Sequence, residues 1–250
     1  MLLAPVEYAR PKTLAEALEA LGRSPNARPL AGGQTLINVM KARAAQPDLL
    51  VDLADLEELR GITGSGCELE IGAMTTYAEL MDSSEVFATR PVISRVAGEI
   101  ADVQVRNRGT IGGNVCLSDP TNHFPPLMVA MNAQMTIAGP GGERQVPASE
   151  FFLGVYMTAV QPGEVLTKIT IPPAEADGFA AVTIGKDGTC IVNAAATKNG
   201  DVRYAIGCVG AVPATSLDDI DPPSDVHGSA DYRRHLAKIL VDRAVAEAGG

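Results

Sequence analysis

Val103-Gln-Val-Arg-Asn-Arg-Gly-Thr-Ile-Gly-Gly-Asn-Val-Cys-Leu-Ser-Asp-Pro120 is the stretch on which the reading of this chain turns. Paired glycines let a main chain approach its neighbours closely and adopt positive φ, so that successive N–H groups can point into one concavity. Thr110 and Asn114 add short polar side chains beside Gly112 and Gly113. A second pair lies upstream in Ala31-Gly-Gly-Gln-Thr-Leu36, again edged by a threonine, Thr35. If a helix follows Gly33, its N-terminus adds a potential that favours an anion. Each pair alone is more often a tight turn, and the two together read equally well as tight turns or as loops that hold a diphosphate with few basic side chains. Neither loop is a Walker A motif, and neither is G-x-G-x-x-G.

Composition agrees with binding through main chain. The 25 glycines and 17 prolines in 250 residues make about 17% of the chain, where roughly 12% is ordinary. Trp is absent and aromatics are 4%, so stacking platforms are few. A net charge of −10 argues against electrostatic binding to nucleic acid or to an anionic membrane surface. Apolar residues at 46% are enough for a real core in one large or two modest domains. The start, Met1 to Glu7, lacks the basic and apolar regions of a signal peptide. The longest uncharged stretch, between Asp119 and Glu143, holds Pro120, Asn122, Pro125, Pro126, Asn132, Gln134 and Pro140, which no membrane span tolerates together. Cys67, Cys116, Cys190 and Cys208 lack C-x-x-C spacing and read as reduced thiols of a soluble cytoplasmic protein, with no zinc site or cluster in this chain.

Outward from the two loops, the pattern alternates helix and strand. Thr13-Leu-Ala-Glu16 and Thr76-Tyr-Ala-Glu79 are capping boxes that start helices. Leu49 to Leu53, Glu68 to Met74, Gln134 to Ala138 and Glu164 to Ile171 read as strands, and Ile93 to Ile100 as a helix. Arg106 and Arg108 read as a strand end with solvated charges. Beyond Pro172 to Asp177, three strands with short glycine turns (Gly178–Ile184, Cys190–Lys198 and Val202–Gly210) predict an antiparallel meander. Ser229 caps a last helix. The three histidines, His123, His227 and His235, are unclustered, and no G-x-S-x-G or H-E-x-x-H occurs, so hydrolase and metal chemistry find no support. A bound redox cofactor needs no such constellation.

An ordered series of segments resembles the FAD-binding (medium) subunit of molybdenum hydroxylases, the carbon monoxide dehydrogenase and xanthine dehydrogenase family. The series is Ala31–Leu36, Asp48–Leu53, Ile71-Gly-Ala-Met-Thr-Thr76, Val105–Asn114 with Ser118-Asp-Pro120, Phe151-Phe-Leu-Gly154, Pro162–Thr167 and Ser229–His235. It spans nearly the whole chain. The resemblance implies an α+β fold: a two-lobed vanillyl-alcohol-oxidase-type FAD-binding domain over 1–175, with lobes at about 1–55 and 56–175, and a small α+β C-terminal domain with an antiparallel sheet over 176–250. It implies that Ala31, Gly32, Gly33, Gln34, Thr35, Leu36, Thr76, Thr110, Gly112, Gly113 and Asn114 hold FAD, the diphosphate above all. By the same resemblance Asp119 lies near the ribityl or adenosine part, and Leu166 and Lys186 approach the flavin ring. No residue of this chain is expected to be catalytic by itself.

The resemblance also implies partners. A large subunit carries molybdopterin, a small subunit carries [2Fe–2S] clusters, and the complex is a dimer of heterotrimers. Electrons pass from the clusters through FAD to an external acceptor. Two other readings stand beside this one: a stand-alone FAD oxidoreductase of the same fold, and a non-catalytic assembly subunit. The chain departs from the family between Pro213 and Asp221, where the connection is short, and at Asn122-His123-Phe124, where small residues are expected.

Overall fold

Polar caps and turn residues start most of the elements. Strand β1 (Glu7–Ala9) leads to Thr13, whose hydroxyl accepts the Glu16 amide at 3.3 Å and starts α1 (Leu14–Leu21). Glu16 reaches back to the Lys12 amide rather than to Thr13. Next come β2 (Arg28–Leu30), α2 (Leu36–Lys41) and β3 (Leu49–Asp52), and the strands pair in parallel in the order β1-β3-β2. Parallel neighbours need crossover connections, which α1 and α2 supply. Leu49, Leu50 and Val51 are all buried, as a parallel strand covered on both faces requires. The computed structural model describes residues 3–65, 68–185 and 188–249.

A second unit follows. β4 (Ile62–Ser65) and β5 (Glu68–Gly72) precede α3 (Tyr77–Asp82), which starts at a complete capping box between Thr76 and Glu79. Helices α4 (Ser84–Thr89), α5 (Pro91–Gly98), α6 (Val103–Arg106), α7 (Ile111–Leu117) and α8 (Phe124–Ala130) come next. β6 (Gln134–Gly139), β7 (Gly142–Pro147), α9 (Ala148–Phe151) and the small hairpin of β8 (Phe152–Gly154) and β9 (Met157–Thr158) lead to β10 (Val165–Ile171). An antiparallel five-stranded sheet forms in the order β4-β5-β10-β6-β7. Leu69 and Ile171 from the sheet, Ile93 and Val96 from α5, Ile111 from α7 and Phe124 from α8 meet in one core. Arg106 does not end a strand. Asp102 accepts the Val105 amide at 2.9 Å and turns the chain into α6, and the Arg106 guanidinium binds the Ile100 and Ala101 carbonyls.

The C-terminal meander is β11 (Ala176–Thr183), β12 (Cys190–Asn199) and β13 (Asp201–Gly207), antiparallel in that order. The last helix, α10 (Ala230–Glu247), starts at Ser229, whose hydroxyl accepts the Tyr232 amide at 3.2 Å. It covers one face of this sheet, and α8 covers the other. The short connection after Pro213 forms no helix. It is tied down by Ile206 and Ala214, which exchange backbone hydrogen bonds of 2.8 and 2.9 Å, and Leu217 and Ile220 pack on the core under α10. No helix among the described residues is long and apolar enough to cross a membrane.

One buried ion pair joins the C-terminal sheet to the rest. Arg90, between α4 and α5, donates from Nε and Nη2 to the two oxygens of Asp177 at 2.6 Å each, with side-chain exposures of 3% and 6%. Nη1 caps the Pro172 carbonyl, and Thr197 donates to the same carboxylate at 2.7 Å. A bidentate pair with its remaining atoms satisfied can offset the desolvation of both charges, whereas a lone buried charge cannot. Arg90→Met should therefore cost about 3–5 kcal/mol in urea unfolding, and pairing it with Asp177→Leu should restore most of that loss. A single variant as stable as the parent would refute this account of the pair.

Candidate functional site

A cleft of about 560 Å³ opens where the parallel sheet faces the antiparallel one. Its near wall is the turn from β2 into α2, including Ala31, Gly32, Gly33, Gln34, Thr35 and Leu36. Its far wall is the segment from Thr110 through Gly112, Gly113 and Asn114, with Ala73, Tyr77 and Leu166 beside it. A second, more open groove of about 720 Å³ lies on the other side of the loop contact and shares Ala31, Gly32, Met74 and Thr110 with the cleft.

The two glycine loops touch each other. A Cβ on Gly32 would stand 2.0 Å from the Arg108 carbonyl oxygen, so only glycine fits. Gly112 is equally tight, with its missing Cβ 2.5 Å from the Ala73 carbonyl oxygen. Gly113 differs. It is exposed, and a Cβ there would press on the Thr110 hydroxyl at 2.9 Å while leaving the Ala31 side chain 3.7 Å away across the gap. Gly32 and Gly112 let backbone meet backbone, while Gly113 leaves room for the Thr110 hydroxyl and keeps the gap to Ala31 open.

The amides of the two loops also differ. Gly33 adopts φ +73° at the turn. Among the described residues, the N–H groups of Gly33, Gln34, Thr35 and Leu36 find no acceptor within the chain. On the far wall the Ile111 amide donates to Thr75 at 3.0 Å, Gly112 to Ala73 at 2.9 Å and Gly113 to the Thr110 hydroxyl at 3.0 Å. The near loop thus offers free donors, and the far loop offers shape. The far loop adds one acceptor: Asn114 Nδ2 donates to the Tyr77 hydroxyl at 2.9 Å, while its Oδ1 is buried without a partner. A buried orphan acceptor is costly unless a ligand donor meets it.

Charge is sparse in the cleft. Arg28 is the one basic lining residue among the described residues. Burial resists charge on Glu164, yet hydrogen bonds from Arg144 (2.7 Å) and the Gln161 amide bring its carboxyl below the usual range. Burial pushes the Tyr77 phenol up to about 12 and the Cys116 thiol up to about 12, so both are neutral at ordinary pH. Among the described residues no group of three or more His, Cys, Asp or Glu could hold a metal ion. Free amides, an orphan acceptor and an apolar floor of Leu53, Val165 and Leu166 fit a ligand with anionic oxygens, hydroxyls and a flat ring. FAD has all three.

The sequence profile described as the FAD binding domain in molybdopterin dehydrogenase matches residues 4–174. The chain belongs to this family. It is 37% identical to the carbon monoxide dehydrogenase medium chain of Hydrogenophaga pseudoflava, over 96% of this chain and 95% of that one. It is 32% identical to the glyceraldehyde dehydrogenase medium chain of Sulfolobus acidocaldarius, over 96% and 97%. A solved structure of carbon monoxide dehydrogenase from Hydrogenophaga pseudoflava, lacking the Mo-pyranopterin moiety of its cofactor, superposes with a TM-score of 0.95 at 34% identity, covering 100% of this chain and 99% of that one. The mixed helix-and-sheet fold is that of these medium chains. An FAD-binding subunit of molybdenum-containing oxidoreductases is what the family describes.

Of the remaining residues that the family resemblance singles out, Thr76 lines the open groove rather than the cleft, and its side chain is engaged with Glu79. Asp119 is not among the cleft-lining residues. It holds Thr121 in a turn and accepts from the hydroxyl of Tyr156, which does line the cleft. Lys186 lies outside the described residues. Tyr77, Cys116, Asn122, Tyr156 and Glu164 line the cleft without having been anticipated. The Thr76 capping box was the available signal for Tyr77, since a cap fixes where the next side chain points. Gly113→Val should leave the far-ultraviolet circular dichroism unchanged and weaken FAD binding at least about tenfold by titration. Gly112→Val should lower the melting temperature outright, because its side chain meets the Ala73 backbone. Equal FAD affinity in Gly113→Val and the parent would remove the far loop from the site.

Proposed function

We propose that this chain is the electron-output subunit of a three-subunit molybdenum hydroxylase. Its partners are a large subunit carrying molybdopterin and a small subunit carrying [2Fe–2S] clusters, arranged as a dimer of heterotrimers in the cytoplasm. The observation that carries the reading is the pairing of free amides at Gly33 to Leu36 with the orphan Asn114 Oδ1 across one cleft, in a chain of the medium-subunit family. FAD, when bound, supplies the redox chemistry that joins one-electron carriers to a two-electron acceptor.

The chain's own residues bind and position. The amides of the Gly33–Leu36 turn neutralise a diphosphate without mobile charges. Asn114 accepts a ligand hydroxyl, and Tyr77 holds the Asn114 amide in place. Leu166 and Val165 floor the apolar end, and Asp119 acts from behind Tyr156. Lys186 is assigned to the flavin end by the family resemblance. Residues 1–55 and 56–175 form the two lobes of the FAD-binding domain, and residues 176–250 form the C-terminal domain. The substrate is not read from this chain: relatives named for carbon monoxide and for glyceraldehyde align over nearly all of it.

Metal and flavin analysis of the complex that co-purifies with the tagged chain tests the reading. Molybdenum, iron and FAD should appear in a ratio of roughly one to four to one, from one molybdenum centre and two [2Fe–2S] clusters. Substrate turnover by the chain alone would favour a stand-alone oxidoreductase. A folded, colourless chain without affinity for FAD would leave only an assembly role.

A further inference from the structure

A group of reactive side chains lies away from the cleft, where α8 packs on the C-terminal sheet. Cys190 opens β12 and Cys208 follows β13, and both are free, buried thiols. The side-chain nitrogen of Asn193 lies between them, 3.4 Å from Cys190 Sγ and 3.9 Å from Cys208 Sγ. The same nitrogen is 3.1 Å from His123 Nδ1 and donates to the Asn122 carbonyl at 3.3 Å. One amide thus serves two sulfurs and an imidazole in a water-poor place.

Buried cysteines ordinarily pack as small apolar side chains. These two belong to neither of the hydrophobic clusters on the two faces of their sheet. Interaction with Cys208 favours the Cys190 thiolate. Burial opposes this, and His123 and Asn193 reinforce it. The same interaction and burial move Cys208 the other way, and its thiol is held protonated. One sulfur is set up as nucleophile and its neighbour as proton-bearing second thiol. Cys208 also has φ +65°, a conformation that non-glycine residues rarely adopt and that costs of order 1–3 kcal/mol. It lines a small crevice of about 10 Å³ with Ser118, Pro125 and Gly207, about the room one water-sized molecule needs.

We propose that Cys190 and Cys208 form a thiol-oxidation site that hydrogen peroxide converts to a disulfide. The Cys190 thiolate attacks one peroxide oxygen and the O–O bond breaks. Cys190 becomes a sulfenic acid, and the departing hydroxide takes up the proton that Cys190 had released, giving water. The Cys208 sulfur then attacks Cys190 Sγ, the S–O bond breaks, and the hydroxyl leaves with the Cys208 proton as a second water. Two thiols lose two electrons in total, and one peroxide gains them.

The test uses the full-length chain with its FAD, treated with hydrogen peroxide, alkylated in denaturant and mapped by mass spectrometry without reduction. The four thiols of the sequence should fall by two, with a cross-linked peptide pair containing Cys190 and Cys208 that dithiothreitol reverses. Cys208→Ser should stop at a sulfenic acid on Cys190, trapped by dimedone, and Cys116→Ser should leave the cross-link intact. If Cys208→Ser does not fold, the cross-link map of the unaltered chain decides. Unchanged thiols in the folded chain, under conditions that oxidise the unfolded one, would overturn the proposal. So would a disulfide that joins either residue to Cys67, to Cys116 or to a second chain.

Discussion

Everything in the ligand cleft depends on backbone touching backbone at Gly32. The Arg108 carbonyl occupies the space where a side chain would start, so the parallel-sheet unit and the helical unit meet with nothing between them. This contact sets the separation of the cleft walls. It places the free amides of Gly33 to Leu36 opposite the exposed face of Gly113 and the orphan oxygen of Asn114. Gly112, pressed on Ala73, fixes the height of the far wall in the same way. Any wedge at these points would spread the walls and separate donors from acceptor.

The electrostatics follow from that geometry. A chain of net charge −10 is a poor host for an anionic ligand where binding relies on lysines and arginines. Fixed amide dipoles act within a few ångströms and are not cancelled by distant carboxylates screened by salt, so the free amides of Gly33 to Leu36 favour an anion whatever the net charge. The acidic side chain nearest the site is managed by a partner: Arg144 engages Glu164. Tyr77 and Cys116 stay neutral because burial penalises their charged forms.

Much of this was legible in the residues. The caps at Thr76 and Ser229, the period-2 strands and the meander after Asp177 are local signals, and local chemistry enforces them. The two glycine loops were legible as a pair of special segments. Which glycine does what was not, because the roles of Gly112 and Gly113 are assigned by Ala73 and Ala31, residues distant in sequence. The α6 turn was misread as a strand end for a related reason. Val103 to Arg106 has no helical periodicity of its own and is held by the Asp102 cap and by Arg106 reaching back to Ile100 and Ala101. β7, exposed at Glu143, Arg144 and Gln145, carries no inward apolar pattern to announce a strand. The gathering of His123, Asn193, Cys190 and Cys208 arises only when α8 docks on the C-terminal sheet, and no spacing rule encodes that.

The Arg90–Asp177 pair also bears on the order in which the chain can fold. Its members are 87 residues apart, and Thr197, which donates to the same carboxylate, comes later still. During synthesis the guanidinium emerges well before any of its partners. Until β11 and β12 arrive, Arg90 keeps its hydration, and the surface between α4 and α5 stays wet. Closing so long a loop is slow and entropically unfavourable. The surface between α4 and α5 is therefore fully dry only once β11 and β12 are in place.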